Sequence, residues 1–292
     1  VYQQVEMDGW NRIDAYNILA NPYTTSREPV TLGERQLFTQ IEEPFTDDFV
    51  LGDVNLRYDF GGFNLTSITS YTYRDLLVQR DGGALYASIV GGTIGLPEPV
   101  YTLSNPFYDA TTSRVFTQEV RLAGGGDRAT WLVGGFFSTN KREYGQSVMV
   151  SGFEAATGIP TRGLRAKKDE LFFSDLAYDL QQTAIFGEAT LAVGRRLDLT
   201  AGLRYYNFSE DREQVFDGAF AHDNNGTAVV SVPGSTDADG FAPRFIASFR
   251  PNDNLTLNAQ ASKGFRLGGI NDPLNVPICT PEDLATFSGR DS

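Results

Sequence analysis

Three things are scarce in this chain of 292 residues: cysteine, histidine and long apolar runs. With Cys279 as its one cysteine, the sequence forms no internal disulfide and no cysteine-built metal cluster, and any partner of Cys279 lies elsewhere. The one histidine, His222, sits beside Asp223 in a polar stretch and has no second histidine with which to hold a metal. It reads as a surface residue. No run approaches the roughly 18 consecutive apolar residues of a spanning helix, which excludes an α-helical membrane protein. Positive charge is short as well. The 24 Lys and Arg against 37 Asp and Glu leave a net charge of −13, which argues against a nucleic-acid binder, since such proteins draw their affinity from basic side chains. No G-x-S-x-G or P-loop motif occurs, and the trio Gly124–Gly126 precedes a strand, so it reads as a turn and not as a phosphate cradle. Nothing here points to an enzyme or calls for a cofactor.

What the chain does have is alternation. Leu197, Leu199, Ala201, Leu203 and Tyr205 share one parity, while Asp198, Thr200, Gly202, Arg204 and Tyr206 share the other. Strand side chains point to opposite faces with period 2, so one face is apolar and the other polar. A soluble sandwich shows the same pattern, and the connections separate the two. Tight turns are expected at Gly61–Gly62, Gly124–Asp127, Gly194–Arg196 and Pro251–Asp253, whereas the intervening connections run from Arg74 to Thr112, Lys141 to Leu180, Asn207 to Gly240, and Arg266 onward. Short and long connections in strict alternation are the wiring of an outer-membrane barrel, with short periplasmic turns and long extracellular loops. Gly61, Gly125, Arg195 and Asn252 then mark the periplasmic side.

Nine spans are expected: Tyr2–Met7, Phe49–Phe60, Phe63–Tyr73, Arg114–Ala123, Thr130–Asn140, Gln182–Val193, Leu197–Phe208, Phe241–Arg250 and Asn254–Gly264, with a further possible segment at Arg35–Ile41. Most have the length of about 9–11 residues that a tilted membrane strand needs. The fold class is therefore all-β, an antiparallel transmembrane β-barrel in the outer membrane. Nine strands form an arc of such a barrel, and a chain that begins at Val1 with no signal segment reads as an internal fragment.

Assigning the apolar parity to lipid places Val54, Leu56, Tyr58 and Phe60 outside, and Asn55, Arg57 and Asp59 inside. Arg121, Arg204, Arg244 and Arg250 join them in the lumen with Glu119. These arginines either pair within the barrel or meet substrate. Tyr71, Tyr73, Phe136, Phe137, Tyr205 and Phe208 fall where an interfacial aromatic girdle belongs. Among loop residues, Tyr101, Phe107 and Tyr108 are candidates for stacking on a ligand. The basic cluster Arg162, Arg165, Lys167 and Lys168 has three readings: a solvated loop, a clamp for lipopolysaccharide phosphate, or a contact for an anionic ligand. From Asn207 to Gly240 seven acids face a single base, Arg212, either as a solubilising loop or as a cation-collecting surface.

Four segments carry a family likeness. FTQEVRLAGGGDRATWLVGGFF (Phe116–Phe137), TAIFGEATLAVGRRLDLTAGLRYY (Thr183–Tyr206), FAPRFIASFRPNDNLTLNAQASKGFRLGGIN (Phe241–Asn271) and ITSYTYRD (Ile68–Asp75) resemble successive hairpins of TonB-dependent outer-membrane receptors, in the family's order. The resemblance spans roughly Phe49–Asn271. It implies a barrel of about 22 strands filled by a plug, of which residues 1–292 would be a partial barrel domain lacking the plug, the TonB box and the closing strands. It also implies active uptake of a scarce, bulky nutrient, above all a ferric siderophore, energised through TonB, with outer-membrane lipid and lipopolysaccharide as surroundings. Arg57, Arg121, Arg204, Arg244 and Arg266, with Tyr101, Tyr108, Arg162 and Arg165, are the expected substrate contacts. A passive porin is the alternative that the same wiring allows.

Overall fold

A computed structural model describes residues 1–9, 39–221, 230–231 and 233–265, and it places them in one antiparallel sheet. The strands are β1 (Tyr2–Met7), β2 (Phe45–Asp59), β3 (Phe63–Asp81), β4 (Pro106–Gly125), β5 (Ala129–Met149), β6 (Glu170–Val193), β7 (Leu197–Asp217), β8 (Val230–Ser231), β9 (Gly234–Asn252) and β10 (Leu255–Ser262). Each pairs with its sequence neighbour from β1 through β7, after which β7 pairs with β9 and β9 with β10. The two-residue β8 pairs on β7 to one side of this path. Nine strands thus follow one another across the sheet, as expected, and β1 and β10 stand at its two edges. His222, Arg266 and Cys279 lie outside the described residues. So does most of 35–41, whose described part, 39–41, is not strand.

The strands are much longer than the alternation indicated. β6 has 24 residues, and β5 and β7 have 21 each, about twice what a tilted crossing needs. The stretches 74–81, 106–112, 141–149, 170–180, 209–217 and 234–240, expected in loops, are strand. Hydrophobic alternation stops once both faces meet water, but the backbone ladder does not depend on it, and the hydrogen bonding continues into solvent.

The remaining connections are correspondingly short and folded. Residues 82–105 hold helix α1 (Gly83–Ala87), a π-helical turn (Ser88–Thr93) and helix α2 (Glu98–Tyr101); residues 150–169 hold helix α3 (Phe153–Thr157). They share one hydrophobic cluster. Tyr86, Ala87, Val90, Val100 and Tyr101 from the first connection pack with Val150 and Phe153 from the second and with Leu171 at the start of β6, and Leu96, Leu103, Val148 and Phe220 lean on the cluster. The Tyr86 hydroxyl donates to the Val100 carbonyl at 2.9 Å, the Asn105 amide to the Met149 carbonyl at 3.1 Å, and the Phe220 N–H to the Leu171 carbonyl at 2.8 Å. Three connections are thereby fastened into one cap at the end of the sheet opposite the tight turns.

Those turns fall at 60–62, 126–128, 194–196 and 253–254. Gly125, the last residue of β4, leads into the second of them and is tightly constrained. Its φ is +136°, and a Cβ there would lie 2.3 Å from the Ala129 carbonyl oxygen and 2.6 Å from the Thr130 Cα, both backbone atoms that have nowhere to move. Gly125→Ala is expected to cost about 1–3 kcal/mol, read as a lowered urea midpoint of the detergent-solubilised receptor. Gly62→Ala, with open space around its Cβ position and an ordinary φ, should leave the midpoint nearly unchanged.

Candidate functional site on the polar face of the wall

The register separates the two faces of the sheet cleanly. One row runs Leu65, Leu122, Val133, Gly187, Leu203, Pro243 across β3 to β9, and the adjacent row on the same face runs Ser67, Val120, Gly135, Ile185, Tyr205, Phe241. Leu56, Val133, Ile185, Leu203, Phe241 and Phe245 on this face are exposed, which a soluble protein does not tolerate over so large a patch. Tyr71, Phe116, Phe137, Tyr205 and Phe241 bound the apolar face toward the cap, with Phe116 and Phe137 rings 6.3 Å apart and Tyr205 and Phe241 rings 5.1 Å apart. Tyr58, Phe60, Phe63 and Trp131 bound it toward the turns. Amphipathic rings at both rims of an apolar face are the arrangement of a membrane interface. Phe136 and Phe208, expected in the girdle, are on the polar face instead: Phe136 lies opposite Glu119 and Ala184, and Phe208 is buried opposite Gln182. Adjacent residues of a strand cannot share a face, so Phe137 and Phe136 were never both available to lipid.

On the polar face, the row Arg57, Thr66, Arg121, Gly134, Phe186, Arg204, Ala242 crosses seven strands at one height, with Arg244 one row nearer the turns. Arg57, Arg121, Arg204 and Arg244 therefore do share a face, as expected. The wall itself partners several of its arginines. Arg121 Nε is 2.8 Å from Glu119 Oε1, Arg244 reaches Glu188 at 3.6 Å, and Arg250 pairs with Asp198. Arg204 is held differently. Its guanidinium lies 5.3 Å from the Phe136 ring centre and 5.7 Å from that of Phe186, and its Nε is buried without a hydrogen-bond partner among the described residues. Phe186 reaches this position because residue 134 is glycine: a Cβ there would stand 2.6 Å from Phe186 Cζ.

Nearer the cap, a second constellation occupies the strand extensions that were expected to be loops. Arg142, Tyr178 and Arg212 face one another in register on β5, β6 and β7. The Arg142 guanidinium sits 4.3 Å over the Tyr178 ring, and Gln214 donates to the Tyr178 hydroxyl at 3.2 Å. Further outward, Tyr144 and Gln146 donate to Asp109 Oδ1 at 2.9 and 2.7 Å, and Arg80 pairs with Asp109 Oδ2 while stacking 5.1 Å over Phe107. Arg74 makes a two-pronged contact with Asp47, whose hydrogen bonds hold that carboxyl below its ordinary pKa. Arg142 is exposed on this face and has no carboxylate partner among the described residues. Stacked guanidinium and phenol groups, with amides beside them, form a surface suited to an anionic, partly aromatic solute.

Two of the loop aromatics expected to stack on a ligand are placed otherwise. Tyr101 is buried in the cap cluster, where it packs with Tyr86, Val90 and Val100 and is 4% exposed. Phe107 is under Arg80 on the polar face, and Tyr108, one residue on, has the parity of the apolar face. Arg162 and Arg165 are exposed on the cap, away from the arginine row of the wall. The sequence pointed to none of Arg142, Tyr144, Tyr178 and Gln214, and to Arg212 only as the lone base of an acidic stretch, although the i, i+2 succession Arg142, Tyr144, Gln146 is itself a strand signature.

An open antiparallel sheet with long regular strands, one face apolar between two aromatic rims and the other polar and arginine-rich, is the wall of a membrane-spanning β-structure. No helix among the described residues is long and apolar enough to cross a membrane, and here the strands cross. The family model for the TonB dependent receptor-like β-barrel matches residues 2–289, and the chain belongs to that family. Its place is accordingly the bacterial outer membrane. Two solved structures share the fold. The ferric yersiniabactin uptake receptor FyuA from Yersinia pestis is 10% identical, with a TM-score of 0.54, over 73% of this chain and 27% of that one. The siderophore receptor PiuA from Acinetobacter baumannii is 14% identical, with a TM-score of 0.52, over 86% of this chain and 37% of that one. The chain spans about a third of the length of these receptors.

Proposed function

We propose that this chain is part of the wall of a plugged barrel of about 22 strands that imports a ferric siderophore, or a similar bulky chelate, with energy delivered through TonB. The observation that carries the reading is the Arg142–Tyr178–Arg212 row. It stands on the polar face, well outside the apolar band, where an extracellular solute arrives before it meets the membrane-level pathway. The tight turns then lie on the periplasmic side and the cap outside. Below the row, the Arg57, Arg121, Arg204 and Arg244 belt lines the interior at membrane depth, where it meets the plug or the passing ligand. Both matched receptors are named for siderophore handling, which agrees with this ligand class. Cells that depend on the full-length receptor are expected to lose uptake of radiolabelled ferric chelate when the proton gradient is collapsed. Uptake that persists after collapse would sink the proposal and assign the wall to a passive porin.

A further inference from the structure

Near the tight turns, the apolar face of the wall is not even. In register across β5, β6, β7 and β9, one row reads Trp131, Ala189, Ala201, Phe245, and the next row toward the turns reads Ala129, Leu191, Leu199, Ala247. Ala261 and Ala259 continue the two rows on β10. Neighbouring strands lie about 4.8 Å apart, so only two methyl groups fill the roughly 14 Å between the Trp131 and Phe245 positions. The six alanines, with Leu191, Leu199 and Phe245 standing among them, line a groove of ≈ 800 Å³. Its floor is methyl groups and its sides are exposed leucine and phenylalanine side chains. At this depth no water fills such a recess, and hydrocarbon that follows its shape recovers dispersion contacts that a void forfeits.

The foot of the groove carries charge. Arg128 directly precedes Ala129, and Arg195 and Arg196 form the turn between β6 and β7, four residues beyond Leu191 and three before Leu199. All three are exposed, and none forms an ion pair among the described residues. Arg250, by contrast, is paired with Asp198. Asp127 stands beside Arg128 and Asp253 lies in the β9–β10 turn, whereas the β6–β7 turn holds two arginines and no acid. The backbone that presents them is tied to its neighbours: the Arg196 carbonyl accepts the Arg250 N–H at 2.7 Å, and the Arg128 carbonyl accepts the Ala192 N–H at 2.9 Å. Little backbone ordering is left for binding to impose.

An apolar groove that opens onto adjacent guanidinium groups matches an amphiphile with an anionic head. Guanidinium groups recognise phosphate through parallel donors, and a zwitterionic lipid, which brings its own ammonium, gains less from them. We propose that this groove seats the acyl chains of an anionic phospholipid of the periplasmic leaflet, with its phosphate on Arg195, Arg196 and Arg128. The proposal takes from the uptake reading only that the tight turns face the periplasm. It concerns no solute.

The test uses the full-length receptor in detergent micelles that contain equal amounts of phosphatidylglycerol and phosphatidylethanolamine with identical acyl chains. Native mass spectrometry then reads which lipid stays bound. The wild-type receptor should retain phosphatidylglycerol in preference. Replacing Arg128, Arg195 and Arg196 together by glutamine should lower that retention about tenfold to a hundredfold, toward the level of phosphatidylethanolamine, because each cation beside an anionic lipid surface contributes about fivefold. Ala189→Leu combined with Ala201→Leu fills the groove and leaves the turns untouched. Both positions are exposed on the lipid face, so the wall should fold as before while both lipids are released. Equal retention of the two lipids by the wild-type receptor overturns the proposal, as does phosphatidylglycerol binding that survives either set of substitutions. Receptor dimers that the leucine variant dissociates would assign the groove to a second copy and overturn it as well. Bound lipid is read without transport, so a failure of gradient-driven uptake would leave this result standing.

Discussion

Leu203→Arg is expected to destabilise the folded wall by about 1–3 kcal/mol, since an arginine on the lipid face costs about 2–4 kcal/mol at the bilayer midplane and less toward the interface. Leu203 is 50% exposed, and its row across the sheet is apolar from Leu65 to Pro243. It lies six residues from Leu197 at the turn end and two from the aromatic rim at Tyr205, so a guanidinium there has only a short reach to the interface, which sets the lower end of the range. Ser138→Arg is the comparison. Ser138 faces Thr117 and Gln182 on the polar side, and the same charge there should cost less than about 1 kcal/mol. Denaturant titration of the full-length receptor in lipid vesicles reads both. Equal losses would mean that the two faces have been assigned the wrong way round.

Arg142→Glu should weaken capture of an anionic ferric chelate by about tenfold to a hundredfold, since hydrogen bonds to charged groups contribute about 1.5–3 kcal/mol each. The guanidinium is prearranged by stacking on Tyr178 at 4.3 Å. A lysine keeps the charge and loses both the planar stacking and the two-pronged donor geometry, so Arg142→Lys should fall between wild type and glutamate. Calorimetric titration of the full-length receptor with chelate measures the series. Because Arg142 is exposed and has no carboxylate to orphan among the described residues, the substitutions should leave the unfolding midpoint where it was. Identical affinities across the series would remove the row from the binding surface.

The membrane-level part of the fold was legible because the bilayer writes itself into the residues. Strand β1 at Tyr2–Met7, the starts of β3 at Phe63 and of β7 at Leu197, the end of β6 at Val193, and the turn glycines at 61, 125 and 194 all follow from apolar alternation closed by residues that tolerate positive φ. Outside the bilayer that pressure lifts. From Arg74 to Asp81 on β3 and from Glu170 to Gln181 on β6, polar and apolar residues mix on both faces, and the period of 2 fades while pairing persists. The Arg142, Tyr178 and Arg212 row was hidden for the same reason: its members are 36 and 34 residues apart in the chain, and only the register brings them level. The arginine row at 57, 121, 204 and 244 was readable because each member sits inside a strongly alternating strand. Tyr101 could not be placed, since nothing local distinguishes an aromatic that closes a small core from one that waits for a ligand.

The shared cluster beneath the cap has a consequence for recombination. Since Tyr86, Val100 and Tyr101 complete the packing of Val150, Phe153 and Leu171, residues 82–105 and 150–169 are complementary halves of one miniature domain. Exchanging either half with the corresponding stretch of a divergent receptor would strand the other against foreign side chains. Chimeras that retarget such a receptor should therefore transplant both stretches, with Phe220, as a single cassette.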